Sequence, residues 1–414
     1  LNALQASLLQ EKESLLQKKL NLDLTRGKPG NDQLALSDVM DGILKNGYIS
    51  PAGTDTRNYG GLDGLAETKA MFAPIMGVNN DEVLIGGNSS LTLVYQAMMF
   101  LWAFGIGEAK AWKDEGKVKF LCPVPGYDRH FAICEAFGIE MIAVAMNENG
   151  PIMDEVEALI KADSSIKGMW CVPRFSNPSG IVYSDETVER IAKLGKIAAA
   201  NFRVFWDNAY AIHTLQSNAQ PLANIMELTR KHGTENSVLQ FGSTSKITFA
   251  GAGLAYMAAS KANLAGFNKH LGVSAIGPDK VNQLRHIRFF TEYTSFAAHM
   301  QKHADLLKPR FDIVLNKLAA AFAGSDALTW TVPEGGYFVS VDTQEGLAKR
   351  VVQISNDLGV KLTPAGATFP YGKDPKDSNI RLAPSFPGLA EIDQAMDIFV
   401  LAVKLATVEK ALAA

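Results

Sequence analysis

A single lysine behind an apolar run and a cluster of hydroxyl residues is the first group here with a distinct chemical use. Phe241-Gly242-Ser243-Thr244-Ser245-Lys246 precedes the turn Gly251-Ala252-Gly253. Small residues let a bulky ligand approach the backbone, and the hydroxyls of Ser243 and Ser245 can hold phosphate oxygens. A lysine whose pKa is lowered by its surroundings is the usual amine of Schiff-base chemistry. Alone, the motif reads more readily as a solvent-facing lysine at a strand end. A second feature, Val204-Phe205-Trp206-Asp207-Asn208-Ala209-Tyr210, sets a carboxylate directly after a buried-looking strand. An unpaired buried charge is costly, so Asp207 calls for a strong partner. A protonated ring nitrogen is one such partner, and the Tyr210 hydroxyl can reach the same place. A turn or helix-capping aspartate is the equally weighted alternative.

Four further segments follow the same pattern. Asn177, in Pro173-Arg174-Phe175-Ser176-Asn177-Pro178-Ser179-Gly180, belongs to turn chemistry, yet the proline can hold its amide towards a phenolate oxygen. Gly86-Gly87 and then Asn88, Ser89 and Ser90 open a long helix, where free N–H groups and the helix dipole make an anion site. This is not a Walker-type loop. Tyr127, after Pro123-Val124-Pro125-Gly126, can stack on a planar heterocycle, although an aromatic at a helix start more often joins the core. Arg381, in Asn379-Ile380-Arg381-Leu382-Ala383, can form a bidentate pair with a carboxylate, although a lone surface arginine is the commoner meaning.

What must position these residues is a set of short apolar runs alternating with helical patterns. Strands are expected at 83–86, 119–123, 141–145, 167–173, 203–206, 239–242 and 254–258, with helices at 91–104, 127–137 and 185–200. Such alternation predicts βαβ units and a largely parallel sheet, with ligands beyond the carboxyl ends of its strands. After about residue 295 the pattern changes to a long helix, a strand at 336–341, a helix at 345–358 and a last helix at 390–412. Residues 1–20 read as an amphipathic helix with Leu1, Leu4, Leu8 and Leu15 on one stripe, followed by a Gly/Pro-broken loop at 24–30. The expected organisation is a large domain over 48–300 and a small α+β domain built from 1–47 and 301–414.

Composition sets outer bounds. The 414 residues carry a formal net charge of -3 and 47% hydrophobic residues, without a block of like charge. No global positive field is present to attract nucleic acid or an anionic membrane. Cys122, Cys134 and Cys171 sit in apolar surroundings and read as reduced, buried thiols, and no Cys/His spacing suggests a metal. With no apolar stretch long enough to span a bilayer and no signal pattern, cytoplasm is the expected location.

Taken together and in this order, the segments resemble the fold-type I pyridoxal-phosphate aminotransferases. Tyr59-Gly60-Gly61-Leu62-Asp63-Gly64 is similar to that family's tyrosine motif, and Leu22-Asp23-Leu24-Thr25-Arg26-Gly27-Lys28-Pro29 resembles a bacterial class I aspartate aminotransferase subgroup related to MocR-type regulators. The resemblance implies an α/β fold with a mostly parallel, mixed, seven-stranded sheet and pyridoxal 5'-phosphate as cofactor. Lys246 would be the Schiff-base residue and proton shuttle, with Asp207 on the pyridinium nitrogen. Asn177 and Tyr210 would hold the ring oxygen, and Tyr127 would stack on the ring. Asn88, Ser89, Ser90, Ser243 and Ser245 would cup the phosphate, with Tyr59 crossing from the other subunit of a homodimer. Arg381 would clamp the substrate carboxylate, and the Gly27 loop would close over it. The implied reaction is transamination between an L-amino acid and a 2-oxo acid, aspartate and 2-oxoglutarate being favoured. Other donors (alanine, aromatic, aminoadipate), a lyase, or a cofactor-binding regulator are the alternatives. One departure stands out: Gly251-Ala252-Gly253-Leu254-Ala255 lacks the arginine that many relatives place there for the phosphate. Candidate cations for a distal carboxylate are Lys28, Lys280, Arg285 and Arg288.

Overall fold

The computed structural model describes residues 1–107 and 109–413. The Arg203–Asp207 strand shows how the main sheet is built. Phe205 packs into one apolar cluster, while Val204 and Trp206 enter another on the opposite face. Phe120 and Cys122 alternate with Leu121 in the same way. Both faces are therefore covered, which is why these strands read as continuous apolar runs.

From one edge the strands are Val83–Ile85, Ala255–Ala259, Val238–Ser243, Arg203–Asp207, Ile166–Cys171, Lys119–Val124, Glu140–Asn147 and Gly150–Pro151. Ala255–Ala259 runs against both of its neighbours, and the pairings from Val238–Ser243 through Glu140–Asn147 are parallel. All seven expected strands are present. The eighth, absent from the sequence reading, is a two-residue edge strand formed where the chain turns back after Asn147. The Asn147 side chain accepts from Asn149 N at 2.9 Å, which stabilises that turn.

A third apolar cluster joins the two ends of the chain. Leu8, Leu22 and Leu24 pack with residues of the Phe296–Phe322, Ala348–Asp357 and Leu389–Ala413 helices. They also meet an antiparallel sheet of Leu328–Trp330, Val339–Thr343 and Asn379–Leu382. Leu22–Asp23 pairs in parallel with Val360–Lys361.

Several expected boundaries shift. The strand expected at 336–341 is Val339–Thr343, because Gly336 (φ +79°) instead gives its N–H to His213 O at 2.8 Å. The helix expected to reach residue 200 ends as Asp185–Lys193 plus a tight turn, Leu194–Lys196. The first helix is Asn2–Leu16; Leu8 is buried, but Leu1 and Leu4 remain 63% and 50% exposed. The expected stripe is therefore used only in its second half, where Leu8 and Leu15 meet the cluster.

Candidate active site

The carboxyl ends of the parallel strands open onto a cavity of about 530 Å³. Its lining includes Gly27, Ser89, Ser90, Tyr127, Asn177, Asp207, Tyr210, Ser243, Ser245, Lys246 and Arg381. These eleven come from loops, strands and a helix start spread over more than 350 positions of sequence. The fold brings them to one wall-and-floor arrangement.

Lys246 is positioned by a turn that leaves little freedom. Thr244, fully buried, gives its N–H to Leu254 O at 2.8 Å, and its Oγ1 accepts from Leu254 N at 2.8 Å. Ile247 N and Thr248 N both return to Thr244 O, at 2.9 and 2.8 Å. A Cβ on Gly253 would lie 2.9 Å from Thr244 Oγ1 and 3.0 Å from Phe249 O, so this turn closes only around glycine. On the far side, Lys246 O accepts from His213 Nε2 at 3.3 Å and from the Tyr337 hydroxyl at 3.4 Å. Ile247 O accepts from His299 and His303, at 2.6 and 2.9 Å. Gln33 links these: its Nε2 lies 3.2 Å from His303 Nδ1 and 3.0 Å from the Tyr337 hydroxyl. Burial pushes the Lys246 amine below the ordinary lysine range, with the Asp207 charge opposing that shift in part. A lysine so placed holds a free electron pair at lower pH than a surface lysine does.

Asp207, last residue of its strand, is 6% exposed. His130 Nε2 donates to its Oδ2 at 3.0 Å, while Oδ1 has no partner among the described residues. The His130 ring stacks on Trp170, with centroids 4.3 Å apart and planes 7° apart, and so points steadily at the carboxylate. A buried carboxylate oxygen without a donor is a seat for a cationic N–H. Tyr127 and Tyr210 stay protonated: burial raises both, reinforced by the Asp207 charge at Tyr127, which rises to about 12, and by Tyr127 and then Asp207 at Tyr210, which rises well above its usual range. Both can therefore donate. Ser89 stands at the cap position of the Ser90–Ala103 helix but makes no side-chain cap bond, so the hydroxyl and the helix's first N–H groups remain available to an anion.

The opposite wall carries Arg381, 6% exposed on its strand. Its Nη1 donates to Asp128 Oδ1 at 3.1 Å and Asn177 Oδ1 at 3.2 Å, and its Nη2 to Thr25 O and Thr363 Oγ1, each at 3.3 Å. Nε has no partner. The 24–30 segment is thus tied to this wall; Lys28 O also accepts from Ser385 Oγ at 2.9 Å, and the Lys28 ammonium sits 3.7 Å over the Phe386 ring.

Two expected residues lie outside the lining. Asn88 turns its amide to Gly251 O at 3.5 Å and takes the Ser245 hydroxyl on its own carbonyl at 3.0 Å. Tyr59 is 83% exposed. Of the four candidate distal cations only Lys28 lines the cavity. Lys280 is bound to Gly60 O at 2.6 Å, and Arg288 to Leu44 O and Gly47 O at 2.7 and 2.9 Å. Arg26 and Arg129 line it instead, together with Asp128. His130, Asp128 and Arg129 were missed by the sequence reading. His130 had one available signal, its three-residue spacing from Tyr127, which puts both on one helix face.

The sequence and the fold are shared with known proteins. The profile of the aspartate amino-transferase family matches residues 1–414. A Mycolicibacterium smegmatis protein named as an aminotransferase is 46% identical over 396 residues, 95% of this chain and 92% of its own. An aspartate aminotransferase of Corynebacterium glutamicum is 44% identical over 399 residues, 96% and 92% of the two chains. The crystal structure of an aspartate transaminase from that organism superposes with a TM-score of 0.95 at 42% identity, covering 99% of this chain and 96% of the other. The chain belongs to the aspartate amino-transferase family, and it is an aminotransferase of fold type I.

Proposed function

We propose that this chain binds pyridoxal 5'-phosphate through Lys246 and transfers the amino group of L-aspartate to 2-oxoglutarate. Aminotransferases of this family use that cofactor. When bound, it supplies an aldehyde that captures amines and a ring that draws electrons from the substrate's α-carbon. The observation that carries the reading is the unpartnered Asp207 Oδ1, buried in the cavity that Lys246 and Arg381 also line.

Each residue then has one task. Asp207, oriented by His130, keeps the ring nitrogen protonated. Asn177 and Tyr210 donate to the ring oxygen, and Tyr127 covers the ring face. Ser89, Ser90, Ser243 and Ser245, with the helix start, hold the phosphate, and Asn88 braces that loop through Ser245. Lys246 would anchor the cofactor, and its Nζ would take up and hand on the proton of the substrate's α-carbon. Arg381 fixes the α-carboxylate, and Gly27 lets the strap lie flat against Phe338 to exclude water.

The same reading places domains at 48–300 and at 1–47 with 301–414, supported by the cluster that unites both termini. It also makes the enzyme a cytoplasmic homodimer. The exposed Tyr59 is then offered to the neighbouring copy's phosphate, and three buried free thiols suit a reducing compartment. Among the described residues no helix is long and apolar enough to cross a membrane. Aspartate is favoured over other donors because the cavity holds Arg26, Lys28 and Arg129 besides Arg381, which suits a second carboxylate. Amino-transfer rates across a donor panel test this: aspartate and glutamate should lead, and slow turnover of both beside fast alanine or phenylalanine would overturn the substrate assignment.

A further inference from the structure

Arg381 already faces a carboxylate of its own chain. Asp128 is the first residue of the Asp128–Ala136 helix, directly after Tyr127, and this position favours a negative charge. Its Oδ1 accepts from Arg381 Nη1 at 3.1 Å, and the two side chains are 37% and 6% exposed. Both line the cavity. The contacts that Arg381 makes here, 3.1 to 3.3 Å, fall at the long end of hydrogen-bond distances, and its Nε makes none. None has the paired geometry that a planar carboxylate gives a guanidinium.

We infer that Asp128 sets the affinity of the site for its substrates: its carboxylate takes the place on Arg381 that the substrate α-carboxylate must take, and the substrate displaces it. This rests on the reading of Arg381 as the carboxylate clamp. A buried guanidinium without a partner is destabilising, and Asp128 supplies one while no substrate is present. The cost of displacing it is the same for every ligand. A carboxylate offsets that cost with two charge-assisted hydrogen bonds, whereas an amide or alcohol offers a neutral acceptor and does not. Asp128 thereby lowers the affinity of the site for every ligand that Arg381 holds, by the cost of parting the two side chains.

The test uses the holoenzyme and succinate, an unreactive dicarboxylate, with binding read by calorimetry and by the ligand-induced rise in Tm. Asp128→Asn should bind succinate about 2- to 5-fold more tightly, the range expected for removing a partly exposed competing ion pair. Its Tm should rise more on adding succinate than that of the parent enzyme, and KM for 2-oxoglutarate should fall in step. Asp128→Glu, which keeps an acceptor within reach, should stay close to the parent. Equal or weaker succinate binding by Asp128→Asn, with Arg381→Lys still losing affinity, overturns the role of Asp128 alone. Unchanged succinate binding by Arg381→Lys overturns the clamp on which it depends.

Discussion

At Asp207 one oxygen is held by His130 and the other is bare, and that asymmetry ties the site's geometry to its chemistry. A hydrogen bond to a charged group contributes about 1.5–3 kcal/mol. His130→Phe keeps the stack on Trp170 but removes the donor, so cofactor affinity should weaken by about 10- to 100-fold, as equilibrium dialysis would show. An unchanged affinity would mean that His130 only fills space. Asp207 and Arg381 stood out in the sequence because each ends or sits in an apolar run, where a charge is out of place, whereas Lys246, behind three hydroxyl residues, stood out only through the segments that accompany it. Asp128 and His130 were not. They occupy the first turn of a helix, where polar residues are ordinary, and only the folded chain shows which of them face Asp207 and Arg381.

Among the elements, the 24–30 strap is the one whose position depends most on a single residue. A Cβ on Gly27 would run into the Phe338 ring, and that ring is itself buried beneath the Arg381 guanidinium, 5.0 Å away. Overpacking costs about 1–3 kcal/mol, so Gly27→Ala should raise KM for both substrates by roughly 5- to 100-fold, by displacing either the strap or the clamp. Steady-state kinetics decide this, and an unaltered KM would show that the strap does not close over substrate. The main strands were readable because both of their faces are apolar, and Asp185–Lys193 because its capping serine and acidic first turn are local signals. Pairings such as Leu22 with Val360 were not, since two residues carry no periodicity and the partner lies far along the chain.

For the molecule as a whole, buried histidines around the lysine turn couple stability to pH. Burial, together with the Lys246 charge, takes His213 down to about 3, and burial takes His286 and His303 to about 4. An unfolded chain protonates these rings near pH 6.5, so below that it binds more protons than the folded one. Stability is full above pH 6.5 and should fall steadily towards pH 4, by about 2 kcal/mol per buried histidine at pH 5. Urea midpoints at pH 7 and 5 measure this, and equal midpoints would contradict it. His286 Nε2 meets Thr244 Oγ1 and Thr248 Oγ1 at 3.2 and 2.9 Å, and that four histidines from three elements surround one turn was beyond the sequence, because the contacts link positions such as 33, 213, 247, 286 and 303. The central claim is that Lys246 carries the cofactor. Borohydride reduction of the enzyme loaded with pyridoxal phosphate, followed by peptide mass mapping, should place the added mass on the peptide containing Lys246. Label on another lysine, or none, would contradict the account.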